Sequence, residues 1–148
     1  STIGIVEGIE KFANEGWEVN LAISLHAPND TLRSKLMPIN QKYPIAVVMS
    51  AVANYLKKTY RKVMFEYLLL EGVNDSDQDA QDLCRLLGNP IFHLNLIQYN
   101  PTGKFKPSPK ERVVEFKKIL TAGRVSFTER YRFGADIKAA CGQLATKA

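Results

Sequence analysis

The sequence has few cysteines, no long apolar run and none of the common catalytic motifs. Its 148 residues include only two cysteines, too few for a disulfide scaffold or for a zinc or iron–sulfur site with four cysteine ligands. No apolar stretch approaches the roughly 20 residues that span a bilayer, and no signal peptide is visible. We therefore expect a cytoplasmic protein without membrane association. The phosphate-binding glycine motifs, GxSxG, HExxH and CxxxCxxC are all absent.

The remaining composition is that of an ordinary globular domain. Hydrophobic residues make up 45% and charged residues 24% of the chain, and the length fits one domain over residues 1–148. The net charge of +5 permits an anionic partner without requiring one. The chain begins at Ser1 without an initiator Met and enters a helical pattern at once, which suggests a piece of a longer protein.

Strand and helix patterns alternate along the chain. Period-two or apolar runs predict strands at 19–26, 61–70, 92–99 and 125–131, and helical spacing of apolar residues fills the intervals and the end at 136–141. Ser76 with Asp79, and Ser108 before Pro109, are typical helix caps. This order predicts an α/β fold with a mostly parallel sheet. A closed eightfold barrel takes about 250 residues, so the chain forms either a small open sheet or part of a barrel.

Polar residues at the predicted strand ends are the candidates for chemistry, because ligands bind there in parallel α/β folds. Ser24 and His26 share one face of a strand, and the alternative is a hydrogen-bonded core serine beside a strand-end histidine. Asn100 could contact a ligand or simply form a turn with Pro101. Glu66 could act as a general base or be a hydrogen-bonded structural residue, and the sequence does not separate these alternatives.

The two cysteines differ in their surroundings. Cys84 lies on an apolar helical stripe and is interpreted as a small core residue. Cys141 lies among small residues near a predicted helix end, where a substrate could approach, although a buried inert cysteine is the ordinary alternative. Basic residues cluster near aromatic ones at 57–62, 99–110 and 130–132, a pattern that can bind RNA but is also typical of a solvated surface.

Five segments together resemble one enzyme family. They are residues 21–30 (LAISLHAPND), 36–40 (LMPIN), 72–75 (GVND), 95–101 (NLIQYNP) and 136–144 (DIKAACGQL). The pattern resembles the C-terminal part of the RlmN/Cfr family of radical S-adenosylmethionine (SAM) enzymes, which methylate an adenine of 23S ribosomal RNA.

The resemblance implies the fold and the site residues. The fold would be the C-terminal half of a partial (β/α)6 barrel, with a catalytic-cysteine segment at about 124–148. Ser1, Ser24, Leu25, His26 and Asn100 would contact SAM, and Cys141 would carry the methyl group. In the family mechanism one SAM methylates this thiolate. A second SAM, cleaved at a [4Fe–4S] cluster, yields a 5′-deoxyadenosyl radical that activates the S-methyl group for addition to C2 or C8 of adenine.

The sequence also departs from the family pattern. The cluster cysteines lie before the position of Ser1 in the family, so the resemblance implies no metal ligand in this chain and no activity of the chain alone. Gln98 and the residues 132–137 (RFGADI) look nearer the C8-methylating branch. The expected partner is 23S rRNA, with tRNA as a second candidate, and a cut barrel is expected to dimerise or aggregate through its strand edge. The alternative function is a non-catalytic RNA-binding or interaction module.

Overall fold

The computed structural model describes residues 1–101 and 103–130 and confirms the alternation of strands and helices. The segment with Cys141 and the predicted helix 136–141 lies outside the described residues. The helices are α1 (Val6–Asn14), α2 (Asp30–Leu36), α3 (Ile45–Thr59), α4 (Asp77–Leu86) and α5 (Lys110–Ala122). The strands are β1 (Leu21–Ser24), β2 (Val63–Leu69), β3 (Phe92–Gln98) and β4 (Phe127–Arg130), and a 3-10 turn at Pro38–Gln41 separates α2 from α3.

The four strands form one parallel sheet in the order β1-β2-β3-β4. Each strand pairs with the next one in the chain, as in a barrel wall, whereas a doubly wound sheet reverses its strand order at a switch point. The backbone of Thr2 extends the sheet beyond β1. Its N–H donates to the carbonyl of Ala22 at 2.9 Å, and its carbonyl accepts from the N–H of Ser24 at 2.9 Å. The predicted α/β fold with parallel strands is confirmed, and its arrangement matches part of a barrel.

The two faces of the sheet have different surroundings. Along β2, Val63, Phe65, Tyr67 and Leu69 are buried and join a single core with α1, α3, α4 and α5. The alternate residues of β2, which include Glu66, are only half-buried. Within the described residues the helices cover one face, so the opposite face resembles the interior wall of an open barrel.

Helix caps were predicted correctly where the cap partner is local. The Ser76 hydroxyl accepts from the N–H of Asp79 at 3.1 Å, and the Asp79 carboxylate accepts from the N–H of Ser76 at 3.0 Å. The predicted cap at Ser108 was wrong, because α5 begins after Pro109 without a side-chain cap. The Ser108 hydroxyl instead donates to the carboxylate of Asp75 at 2.7 Å, a stronger charge-assisted bond that ties this loop to the segment before α4.

Helices α4 and α5 approach each other closely at Gly123. A Cβ atom on this residue would lie only 2.3 Å from Sγ of Cys84, so a glycine is required there. Cys84 itself is half-buried against the core, with its Sγ 3.6 Å from the carbonyl of Ile119, and burial raises the pKa of its thiol. In the described ranges no helix has the length and apolar character needed to cross a membrane.

Candidate functional site

The carboxyl ends of β1, β2 and β3 meet at one edge of the sheet and bring three predicted site residues to it. Ser24 is the last residue of β1, His26 follows two residues later, and Asn100 lies two residues beyond the end of β3. Only β2 separates β1 from β3. Because neighbouring strands are about 4.8 Å apart, the backbones of β1 and β3 lie about 10 Å from each other. A ligand of nucleoside size spans this distance.

The backbone turns sharply at His26 and fixes the state of its imidazole. The residue has a φ of 56°, and the N–H groups of Leu25 and His26 both donate to the carbonyl of Glu66, at 3.0 and 3.2 Å. The ring Nδ1 accepts from the N–H of Leu68 at 3.1 Å, so in the neutral ring Nε2 carries the proton. Burial, and secondly the charge of Arg33, lower the pKa of His26 to about 4. At neutral pH His26 is therefore an uncharged N–H donor.

A buried asparagine joins the ends of β1 and β2. The Asn74 side-chain amide donates to the carbonyls of His26 at 2.8 Å and Leu68 at 2.7 Å, and its Oδ1 accepts from the N–H of Leu70 at 2.8 Å. The Tyr67 hydroxyl donates to the carbonyl of Asn74 at 2.7 Å, and burial raises the pKa of that tyrosine. These bonds hold the backbone around His26 in place. Asn74 was not among the residues predicted for the site from the sequence.

A fully buried arginine holds the backbone at the end of β1 in place. Arg33, in α2, is 0% exposed and is the buried residue of that helix. Its guanidinium donates five hydrogen bonds, to carbonyls of Ser24 at 3.2 Å, Leu25 at 3.3 Å, Ile3 at 2.9 Å and Tyr43 at 3.2 Å, and to Oδ1 of Asn40 at 2.8 Å. Burial lowers the pKa of Arg33, and the nearby charge of Asp30 opposes this effect. Arg33 thereby positions the backbone of Ser24 and Leu25.

Leu25 and Ser1, which were also predicted to contact a ligand, have fewer groups to offer at this edge. The Leu25 side chain is only 2% exposed and packs in the core on the helical face of the sheet. Its N–H bonds to Glu66 and its carbonyl accepts from Arg33, so Leu25 offers a ligand little beyond its backbone surface. Ser1 is exposed and precedes Thr2, whose backbone pairs beside Ile23. This places Ser1 next to β1.

The loop that follows β3, described at residues 99–101 and 103–108, is hydrogen-bonded to the segment after β2. The Lys106 carbonyl accepts from the N–H of Glu71 at 3.0 Å, and Pro107 pairs with Leu70 in an antiparallel bridge. The ring of Phe105 lies edge-on to Tyr99, with 6.1 Å between centroids, and Nζ of Lys104 lies 5.4 Å from the Phe105 centroid. Near the start of this loop, Oδ1 of Asn100 is buried and has no hydrogen-bond partner among the described residues. The loop therefore brings cations and an unpaired acceptor to the edge that carries His26.

Below the edge, the uncovered face of the sheet carries a row of four polar residues in register. Ser24 pairs with Glu66, Glu66 with Asn95, and Asn95 with Thr128. The Thr128 hydroxyl donates to Oδ1 of Asn95 at 2.7 Å, and Nδ2 of Asn95 donates to Oε1 of Glu66 at 2.8 Å. Glu66 Oε2 is buried and accepts no hydrogen bond within the described ranges. The sequence indicated Ser24 and Glu66, but missed Asn95 because a strand asparagine carries no local signal.

Metal ligands do not gather in the described part of the chain. Residues 1–101 and 103–130 contain no group of three or more His, Cys, Asp or Glu side chains that could hold a metal ion. The imidazole of His93 instead contacts the hydroxyls of Ser126 at 2.8 Å and Thr128 at 3.1 Å. Gln98, the last residue of β3, donates to the carboxylate of Glu129 at 2.7 Å. The predicted catalytic residue Cys141 lies outside the described residues.

Comparison with known proteins finds close relatives over nearly the whole chain. The chain is 49% identical to a probable dual-specificity RNA methyltransferase RlmN of Caldicellulosiruptor saccharolyticus, over 99% of this chain and 43% of the relative. It is also 49% identical to a ribosomal RNA large subunit methyltransferase N of Nitrosopumilus maritimus, over 99% of this chain and 42% of the relative. The chain thus spans about two fifths of the length of these relatives. No family model matches the sequence.

Solved structures give the same result. The crystal structure of a radical SAM methyltransferase from Sphaerobacter thermophilus superposes with a TM-score of 0.90 at 48% identity, covering 95% of this chain and 42% of that one. A domain of a pyruvate-formate lyase-activating enzyme from Bacteroides vulgatus superposes with a TM-score of 0.68 at 16% identity, covering 88% of this chain and 79% of that one. The second similarity concerns the fold alone.

Proposed function

The chain belongs to the RlmN-type radical SAM methyltransferases, of which it represents a C-terminal part, and on this premise we propose that the complete protein methylates an adenine of 23S rRNA at C2 or C8. The observation that carries the proposal is the similarity to the Sphaerobacter enzyme over 95% of the chain, together with the polar strand ends that this fold presents. As this chain spans two fifths of its relatives, we propose that it is inactive alone.

The described strand ends fit the nucleoside part of SAM. His26 supplies a neutral Nε2–H donor, Asn100 has a buried unpaired Oδ1, and Ser24 adds a hydroxyl on the uncovered face. Unpaired buried acceptors are rare in folded proteins, and a ligand donor would satisfy the one at Asn100. We therefore propose that Ser24, His26 and Asn100 bind SAM, with Ser1 beside them and Leu25 contributing backbone surface. When bound, SAM supplies an electrophilic methyl group and, beside a reduced cluster, a source of radical chemistry.

The residues of this chain do not provide the ligands for the [4Fe–4S] cluster of this family. The described ranges hold no set of metal-ligating side chains, and the whole sequence has two cysteines where the cluster needs three or more. We propose that the cluster ligands belong to the part of the relatives that this chain does not span.

We propose that Cys141 carries the methyl group before its transfer to adenine. A thiolate is a strong nucleophile towards a sulfonium methyl group, whereas an adenine C–H carbon is a poor one, so covalent relay through a cysteine suits this substrate. The support is the resemblance of residues 136–144 to the catalytic-cysteine segment of the family. In the complete protein with its cluster reconstituted anaerobically, Cys141→Ala should abolish methylated adenine in rRNA, as measured by nucleoside mass spectrometry.

The other cysteine provides a matched control for this test. Cys84 is half-buried between α4 and α5, so Cys84→Ala removes a thiol without touching the strand ends. We expect this variant to retain methylation. Unchanged turnover in the Cys141 variant would refute the proposed role of that residue and leave the family membership intact.

We propose that RNA approaches the same edge over the loop that follows β3. Lys104 and Lys106 are exposed on this loop and Lys110 follows it, which places cations where RNA phosphates would lie. The proposed substrate is 23S rRNA, and tRNA is the second candidate. A non-catalytic RNA-binding module is the alternative function, favoured by the net charge of +5 and distinguished by salt-sensitive RNA binding without any methylated product from the complete protein.

We also propose that the 148-residue chain self-associates when it is prepared alone. Strand β4 pairs on one side with β3, and the uncovered sheet face carries half-buried apolar side chains such as Met64 and Leu68. Open strand edges and apolar faces favour association. A sedimentation coefficient that does not rise with concentration would contradict this proposal.

A further inference from the structure

Glu66 combines three features that distinguish it from the other carboxylates of the described chain. It lies in the middle of β2 on the uncovered face, its Oε1 accepts from Asn95 at 2.8 Å, and its Oε2 is buried without a donor among the described residues. No ion pair to Glu66 occurs in these ranges either. A buried carboxylate oxygen without a partner is energetically costly, so a site with this feature needs an explanation.

The neighbouring residues determine which carboxylate oxygen of Glu66 lacks a hydrogen-bond partner among the described residues. The Thr128 hydroxyl bonds to Oδ1 of Asn95, and this orientation turns the Asn95 NH₂ group towards Glu66. The reverse orientation would place an amide oxygen against a carboxylate oxygen, which is repulsive. Asn95 and Thr128 therefore act as positioning residues, and Glu66 Oε2 remains an oriented acceptor.

A second polar group stands beside this acceptor. Ser24 is the register partner of Glu66, and both side chains are on the uncovered face. Directly paired residues on neighbouring strands are about 5 Å apart, so the Ser24 hydroxyl and Glu66 Oε2 can contact adjacent groups of one ligand. No hydrogen bond of the Ser24 hydroxyl occurs within the described residues. A vicinal diol, whose two hydroxyls are adjacent, matches this pair of groups.

We propose that Glu66 is a further ligand-binding residue of this site, which accepts a hydrogen bond from a ribose hydroxyl of the bound nucleoside. The inference rests on the proposed function, because it identifies the nucleoside as that of SAM. Carboxylates are well suited to ribose hydroxyls because an O–H···O⁻ bond is short and charge-assisted. Ser24 would contact the second hydroxyl, while His26 and Asn100 lie at the strand ends for the remainder of the ligand.

The test is a ligand titration of the complete protein with Glu66→Gln, which preserves shape and the bond from Asn95 but replaces Oε2 by NH₂. Three probes separate the contacts: S-adenosylhomocysteine, 5′-methylthioadenosine, which lacks the amino acid, and 2′,3′-dideoxyadenosine, which lacks both ribose hydroxyls. We expect roughly 5- to 10-fold weaker binding of the first two and no change for the third, since the NH₂ group cannot accept from the hydroxyl and can only donate to its oxygen in a weaker, neutral bond.

Control variants at two further positions are compared with Glu66→Gln. Glu71→Gln removes the same charge from an exposed glutamate two residues beyond β2 and should leave all three affinities unchanged. Thr128→Val should weaken binding of the two ribose-diol probes because Asn95 loses its orientation, and Thr128→Ser should restore it. An unchanged thermal midpoint in the Glu66 variant confirms that the fold is retained.

Several results would overturn the inference. Equal affinities of wild type and Glu66→Gln for every probe would exclude a contact, while the wild-type affinity itself would still support the proposed function. A loss for S-adenosylhomocysteine alone would assign Glu66 to the ligand ammonium group instead. A loss confined to binding of an rRNA oligonucleotide would assign it to an RNA ribose. Failure of the wild-type protein to bind any nucleoside would overturn both proposals.

Discussion

The state of His26 makes the stability of this protein depend on pH in a range where few other groups titrate. Its pKa is about 4 in the folded chain, against 6.5 for the free side chain, because burial and the charge of Arg33 disfavour the imidazolium. As the pH falls below 6.5, the unfolded chain binds a proton that the folded chain does not, so acidification favours unfolding. The stability that comes from keeping His26 neutral is therefore fully present above pH 6.5 and is lost progressively towards pH 4.

The expected magnitude follows from these two pKa values. The full loss is about 3 kcal/mol, of which about 2 kcal/mol falls between pH 7 and pH 5, where carboxylates are still largely ionised. Urea denaturation of the chain at constant ionic strength measures this difference directly. His26→Gln should abolish most of the pH dependence, and His93→Gln, which removes the other histidine of the sequence, should retain it. Equal stability of the wild type at both pH values, or an undiminished drop in the His26 variant, would refute the assignment.

Two further substitutions test the packing that supports the site. Arg33→Met should lower the free energy of unfolding by about 3 kcal/mol or more, because five acceptors, three of them in fully buried hydrogen bonds, lose their donor at once, and urea denaturation at neutral pH measures the loss. Gly123→Ala should cost about 1–3 kcal/mol by overpacking α4 against α5. In a Cys84→Ala background the Gly123 substitution should cost less, as a double-mutant cycle of thermal unfolding would record, and a fully additive cycle would contradict the proposed clash.

The elements that the sequence predicted well are those whose signals are local. Strand β2 and helix α4 follow from the period of their apolar residues and from a cap whose partner, Asp79, is three positions away. Ser108 satisfied the same local rule but bonds to Asp75, which is 33 residues away, so a local pattern could not anticipate its partner. The strands were also predicted longer than β1 and β4 are, because propensity does not mark where pairing stops.

The supporting residues of the site could not be predicted because their partners are main-chain groups of distant segments. Arg33 contacts the carbonyl of Ile3, 30 residues away, and Asn74 contacts that of His26, 48 residues away. Because every residue has a main-chain carbonyl, such a partner cannot be recognised from the residue types in the sequence. For Cys141, physical reasoning favours an inert cysteine and only the family resemblance indicates a catalytic one, so its role stays a prediction.

The same choice of acceptors determines how freely the sequence around the site can change over evolution. Four of the five acceptors of Arg33 are main-chain carbonyls and only one, on Asn40, is a side chain. Replacing Ile3 or Ser24 therefore leaves the corresponding bond intact, whereas replacing Arg33 or Asn40 removes it. The backbone shape at this edge thus depends on Arg33 and Asn40 and tolerates changes of side chain at the four positions that contribute only a carbonyl.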